Sequence, residues 1–363
     1  MLLVADPKAD FLANADAIRA AIARVLESGH YILGPEGESF EKEFSVYQGG
    51  GYTVGVANGT DALELALRAA GVGPGDGVAT VANTVTATVC AISEIGARPV
   101  FVEIDAATMV MSPEALAGAF SREKIKAVVP VHLYGFPVNM TRMVEIASAN
   151  GAVVVEDCAQ AHGAMIGTQK TGTWGAMAAF SFYPTKNLGA LGDGGAVFTR
   201  DAAYAEKVRS LRQYGWRTRY VAESPGRNSR LDEIQAAILR VKLPQLDAGN
   251  EKRRKLASRY LERLRSAPLL LPATVPGTTP VFHQFTVRTA RRDWLREALL
   301  QKGIQCGVLY PVPIHHQPAY RNAELSLPVT EQACAEVLCL PCHPALTEKD
   351  VDEVSAAIIA CLR

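Results

Sequence analysis

One lysine, Lys186, lies within Ser181-Phe182-Tyr183-Pro184-Thr185-Lys186-Asn187-Leu188-Gly189-Ala190-Leu191-Gly192-Asp193-Gly194-Gly195. No other charged residue occurs between Lys170 and Asp193. That setting can desolvate the amine, lower its pKa and make it a usable nucleophile; the other reading is a lysine at a turn whose head reaches water. A second group, Glu156-Asp157-Cys158-Ala159-Gln160-Ala161-His162-Gly163, follows the apolar run Ala152 to Val155. Ligand sites of open α/β sheets lie beyond the carboxyl ends of strands, so an acid, an amide and an imidazole leave the sheet where a ligand would sit. Asp157 could equally cap a helix. A third group is Asn58-Gly59-Thr60-Asp61, a tight turn between a short apolar strand and a helical stripe. Free backbone N–H groups and the positive end of a helix dipole suit a phosphate there, although the turn is neither a Walker loop nor G-x-G-x-x-G.

The elements that must hold these groups read as alternating strands and helices. Apolar spacing predicts helices over 14–28, 38–47, 86–95, 113–120, 141–150 and 202–211, with strands over 54–57, 78–81, 99–103, 127–131, 152–155 and 196–199. Strand, helix and strand at this spacing mean a mostly parallel sheet with helices on both faces. A helix over 231–241 is expected to end at Pro244, and a basic helix to run over 251–265. After the proline-rich segment 267–280, a strand over 282–288, a helix over 291–302, a strand over 305–310 and a helix from Glu348 form a smaller α+β unit. The domain division expected is 1–245 for an N-terminal arm and large domain, and 246–363 for a small C-terminal domain.

Lys+Arg and Asp+Glu are both 37, so no net charge draws the 363-residue chain to nucleic acid or an anionic membrane. No signal-like or membrane-spanning run is apparent, and a cytoplasmic protein is expected. Seven cysteines, an odd number in a long chain, argue against a disulfide framework. Cys339-Leu340-Pro341-Cys342-His343 matches a C-x-x-C-H haem pattern. With no export signal and no second half-site, packed reduced thiols are the expectation, and no metal.

A desolvated lysine, an acid at a strand end and a glycine turn opening a helix together meet the needs of pyridoxal phosphate. Its aldehyde takes a lysine as a Schiff base, its pyridine nitrogen a carboxylate and its phosphate a helix N-terminus.

These stretches resemble the motifs of the DegT/DnrJ/EryC1/StrS sugar aminotransferases: Val54 to Leu63, Glu156 to Gly163, Ser181 to Gly195, Asn228 to Ala237 and Tyr310 to Tyr320. The resemblance runs from the first helix to the last. It implies a fold-type I aminotransferase, a homodimer with active sites shared between subunits, and glutamate as amino donor. By that resemblance Lys186 forms the Schiff base, Asp157 pairs with the ring nitrogen and Gln160 lies against the ring. Gly59, Thr60 and Ser181 hold the phosphate, with Asn228 reaching it from the other subunit. Tyr183 and His162 are expected to take part in catalysis, and Tyr31, Tyr214, Tyr310 and His315 to bind substrate. The wording from Lys186 to Gly195 is similar to members that aminate C3 of a dTDP-3-oxo-6-deoxyhexose, giving a 3-amino-3,6-dideoxyhexose. Acceptors that are C4-keto sugars, UDP-keto-uronates or inososes remain alternatives, as does a regulatory protein that binds the cofactor without turnover. A dehydratase relative would carry histidine at the lysine position. Three positions depart from the family: Val85, where an aromatic usually stacks on the ring, Val81 for proline and Ala176 for aspartate.

Overall fold

A computed structural model describes residues 1–362. Its centre is a seven-stranded sheet in the order β1-β9-β8-β5-β4-β2-β3. The strands are β1 (Tyr52–Val56), β2 (Gly77–Val81), β3 (Arg98–Val102), β4 (Ile125–Val128), β5 (Val153–Asp157), β8 (Met177–Ser181) and β9 (Gly195–Thr199), with β6 (Met165–Ile166) and β7 (Gln169–Lys170) forming a small hairpin between β5 and β8. Only β9 runs against the others, because β1 and β8 both pair with it antiparallel while β2, β3, β4, β5 and β8 pair in parallel.

Both faces of this sheet are dry. Val154 turns to a core with Leu116, Met143 and Ile146, while its neighbour Val155 turns to one with Leu65, Ile92 and Val208. Those side chains come from α6 (Pro113–Phe120) and α7 (Met140–Ala149) on one face, and from α4 (Gly59–Ala69), α5 (Thr86–Glu94) and α8 (Ala202–Leu211) on the other. Period-two alternation is therefore absent from β2, all five of whose residues are buried. A third core joins Phe180, Phe182 and Phe198 to Phe40 and Phe44 of α3 (Pro35–Tyr47), with edge-on ring contacts such as Phe44 to Phe180 at 5.0 Å. A fourth, built on Tyr260, Phe285, Leu295, Leu338 and Ile358, serves the C-terminal elements and takes in Leu2 from the chain start.

Four expectations need correcting. Strand β8, absent from the expected elements, carries Met-Ala-Ala-Phe-Ser, which lacks the β-branched residues that mark strands. Pro244 does not end the helical run; it sits in a 3-10 turn, Leu243–Gln245, that joins α9 (Glu233–Lys242) directly to α10 (Leu246–Arg263), because proline is tolerated in a first helical turn. Residues 305–310 form no strand, only an isolated bridge of Gly307 to Cys339. The partner of β13 (Phe285–Arg288) is instead β14 (Val337–Leu340), antiparallel, entered from α12 (Pro328–Glu336). Lastly, Asp157 caps no helix: it ends β5, and its Oδ1 accepts from Ala159 N at 3.1 Å to turn the chain. Cys339 and Cys342 are buried in the C-terminal unit, where burial pushes their thiols up to about 12 and about 11. Among the described residues no helix is long and apolar enough to cross a membrane.

Candidate active site

Parallel strands deliver their carboxyl ends to one edge, and the chemistry gathers there. A cavity of about 360 Å³ opens where β5, β8 and the start of α4 meet. Its walls include Gly59, Thr60, Asp157, Gln160, Ser181, Tyr183, Lys186 and Tyr310, so eight of the residues singled out by sequence converge in space.

One end is a backbone cradle. Asn58 caps α4 by accepting from Asp61 N at 2.8 Å, which leaves the N–H groups of the first helical turn pointing into the cavity. Gly59 is required because a Cβ there would lie 2.6 Å from Ser181 Cβ. The close approach sets the Ser181 hydroxyl beside the helix start. These donors suit a phosphate.

Further along is the buried carboxylate of Asp157. Oδ1 takes the Ala159 N–H, and Oδ2 the Thr88 hydroxyl at 2.9 Å. Burial raises its pKa; the Ala159 and Thr88 hydrogen bonds and the charge of Lys186 oppose that without cancelling it. Such a carboxylate gains most from a cationic N–H partner. Its orientation has a firm base in Glu156, which accepts from Trp174 N and Gly175 N on one oxygen and from Gly172 N and His132 on the other. Glu156→Ala strands three backbone donors and a histidine in the core, so we expect a loss of about 3–5 kcal/mol of stability, measurable by denaturant titration.

Lys186 faces Asp157 across the cavity. Burial lowers its pKa to about 8, with Asp157 pulling the other way. At pH 7 roughly a tenth of the amine is then free, against fewer than about one in a thousand for an ordinary lysine. Gln160 is held by Tyr134 N, which donates to its Oε1 at 2.7 Å, so its amide Nε2 is the face left to donate; Tyr310 OH lies 3.3 Å from it.

Not every candidate arrives. His162 is fully enclosed between Phe180 and Phe182, with ring centroids 5.5 and 5.8 Å away. Neither ring nitrogen has a partner, and burial drops its pKa to about 3, so a direct catalytic role is corrected to a packing one. His315 is also buried and turned to Glu331 at 3.1 Å, away from the cavity walls. Tyr31 bonds to Leu26 O outside the cavity. Tyr214 packs at a tilt against Trp216 in a surface turn leading to the hairpin of β10 (Trp216–Thr218) and β11 (Val221–Ala222). Asn228 lies exposed just after that hairpin, also outside this chain's own cavity. Val85 is in the wall, confirming an aliphatic surface at that point. Sequence reasoning missed Thr88 and His283, both wall residues. Thr88 was within reach, since it opens a helix at the same sheet edge; His283 belongs to no motif.

The pattern of the DegT/DnrJ/EryC1/StrS aminotransferase family matches residues 13–359. The chain is 48% identical over 343 residues to dTDP-3-amino-3,4,6-trideoxy-alpha-D-glucose transaminase of Streptomyces venezuelae, covering 93% of this chain and 90% of that protein. It is 44% identical to dTDP-3-amino-3,6-dideoxy-alpha-D-galactopyranose transaminase of Aneurinibacillus thermoaerophilus, covering 94% of each. Among solved structures, S. venezuelae DesV in complex with a ketimine intermediate superposes with a TM-score of 0.97 at 46% identity, covering 100% of this chain and 99% of that one.

Proposed function

We propose, from the premise that this chain belongs to the DegT/DnrJ/EryC1/StrS aminotransferase family, that it transfers an amino group from glutamate to C3 of a dTDP-linked 3-oxo-6-deoxyhexose. The observation that carries the reading is the convergence of the Gly59–Ser181 cradle, the Asp157 carboxylate and the depressed amine of Lys186 in one cavity. Its dimensions and donors fit pyridoxal phosphate. When bound, that cofactor supplies an aldehyde that carries the amino group and a ring that accommodates negative charge.

The protein's own groups then have distinct tasks. Gly59, Thr60 and Ser181 hold the phosphate, and Asn228 of a second copy completes that cradle in a homodimer. Asp157, oriented by Thr88, keeps a proton on the ring nitrogen. Gln160, its amide direction fixed by Tyr134, donates from the ring's edge. Lys186 would hold the cofactor by its aldehyde, and its amine is the group placed to move a proton at the reacting carbon. Tyr183, about half exposed at the cavity mouth, and Tyr310 line the approach for the sugar. Tyr31 and Tyr214, both exposed, are left to act only in the assembled dimer, whereas His315, buried against Glu331, supports the loop that carries it. On this reading residues 1–245 form the arm and cofactor-binding domain and residues 246–363 the smaller one; the separate C-terminal core supports that division, and Leu2 ties the arm to it.

The two transaminase relatives named above differ at C4 of the sugar in their own names and share amination at C3, which supports C3 as the position. The test is a panel of nucleotide keto sugars with glutamate, products identified by mass and NMR. A 3-amino product from dTDP-3-oxo sugars is expected, and amination of C4-keto or UDP-linked acceptors alone would overturn the assignment.

Val85 gives a second measurable consequence. An aliphatic wall lacks the stacking term of an aromatic, about 0.5–1.5 kcal/mol beyond area burial. Val85→Tyr is expected to tighten cofactor binding by that amount, read by equilibrium dialysis.

A further inference from the structure

Lysine is almost never fully buried unless its head is paired. Lys242, the last residue of α9, is 6% exposed and belongs to none of the motifs. Its Nζ donates to the carbonyl of Gly189 at 2.7 Å and is ion-paired with Asp10 Oδ2. Gly189 lies three residues beyond Lys186, in a turn folded tightly on itself. Lys186 N donates to Tyr183 O and Ala190 N to Phe182 O, and a Cβ on Gly189 would lie 2.6 Å from Pro184 O. Seven residues before Lys242 on the same helix, Gln235 Oε1 accepts from Leu191 N at 2.9 Å. Seven residues are close to two helical turns, so Gln235 and Lys242 share one face of α9. That face grips the chain just after Lys186 twice, at a carbonyl with a cation and at an N–H with an amide oxygen.

The carboxylate that balances this cation comes from another element. Asp10 lies in α1 (Pro7–Ala13) of the N-terminal arm, and its side chain is half exposed. The arm meets the same helical run again where Gln245 Nε2 donates to Asn14 Oδ1. Between the arm, the end of α9 and the turn carrying Lys186 lies a cavity of about 390 Å³, whose walls include Asp10, Lys242, Pro184 and Lys186. Of the two acids in that wall, Asp6 caps α1 by accepting from Ala9 N at 2.9 Å, which leaves Asp10 as the counter-charge for Lys242.

We propose that Lys242 is a positioning residue for Lys186, holding the turn after it through the Gly189 carbonyl, and that the N-terminal arm sets this hold by supplying Asp10. The inference rests on the reading of Lys186 as the reactive amine. A hydrogen bond from a cation is stronger than one from a neutral donor, yet a buried cation without a counter-charge loses more than that bond returns. With Asp10 in place the ammonium stays at Gly189. Without it, the head turns into the cavity toward water, and the carbonyl is released. The turn then holds the backbone of Lys186 less closely, and a reacting group misplaced by about 1 Å can lose about 10²-fold in rate.

Hydrogen exchange of the full-length, cofactor-free protein reads the hold directly, in peptides spanning residues 182–192. Asp10→Ala removes only the carboxylate of a half-exposed arm residue. It should speed exchange in those peptides about tenfold, the scale of one lost hydrogen bond to a charged group, while a peptide across β5 stays unchanged. Asp10→Glu, which keeps the carboxylate, should restore protection, and Lys242→Met should reproduce the Asp10→Ala pattern. Attachment of pyridoxal phosphate to cofactor-free protein, followed by absorption, should slow in Asp10→Ala and recover in Asp10→Glu. Unchanged exchange over 182–192 in Asp10→Ala, or an equal rise across β5, overturns the proposal. So does faster exchange with an unchanged rate of attachment, since the turn would then be held without positioning the amine. Should Lys242→Met fail to fold, the two Asp10 variants decide alone. Because exchange is read without cofactor, its outcome is separate from whether the cofactor attaches at Lys186.

Discussion

Lys186→Ala is expected to lower transamination about 10⁴-fold, the upper end of what a positioned proton-transfer group contributes, while the fold is kept. The lysine donates no side-chain hydrogen bond to the frame; its segment is held by backbone contacts such as Lys186 N to Tyr183 O and Ala190 N to Phe182 O, both 2.8 Å. Removing a buried ammonium even relieves a desolvation cost. The loss is therefore chemical. Steady-state rates with glutamate and a dTDP-3-oxo sugar, alongside circular dichroism, separate the two effects. The pH dependence has a defined sign in the wild type. Burial holds the Lys186 pKa at about 8, so the free amine, and with it cofactor attachment to cofactor-free protein, increases as pH rises through that value. An unshifted lysine would centre this rise at about pH 10.4.

Asp157→Asn is the second large effect, about 10²–10³-fold in kcat, the scale of losing one preorganised electrostatic partner. The geometry survives the exchange. Ala159 N still finds an oxygen, and the Thr88 hydroxyl, which also meets Thr84 at 3.0 Å, can rotate to accept rather than donate. What disappears is the negative charge that keeps a ring nitrogen protonated. We expect cofactor to bind with an altered absorption spectrum and slow turnover. A variant with normal turnover would show that Asp157 only orders the end of β5.

Much of this was legible from residue types. Glycine at 59 followed by a capped stripe, an acid ending an apolar run and a lysine in an uncharged stretch are local signals, and each one is set by the element that carries it. What escaped were contacts made across the chain. Whether His162 meets the substrate depends on Phe180 and Phe182, and β8, which supplies Phe180, had no propensity signal of its own. His283 joins the cavity through Asn187 and Asn250, 96 and 33 positions away along the chain. The tertiary fold alone brings them together. Pro244 misled for a local reason, since a proline inside one helix and a proline in the first turn of the next look alike in sequence.

The most direct test of the account is borohydride reduction of the purified enzyme with pyridoxal phosphate, followed by digestion and peptide mass mapping. A single phosphopyridoxyl adduct, on Lys186, is expected. An adduct on another lysine, or no adduct despite bound cofactor, would contradict it.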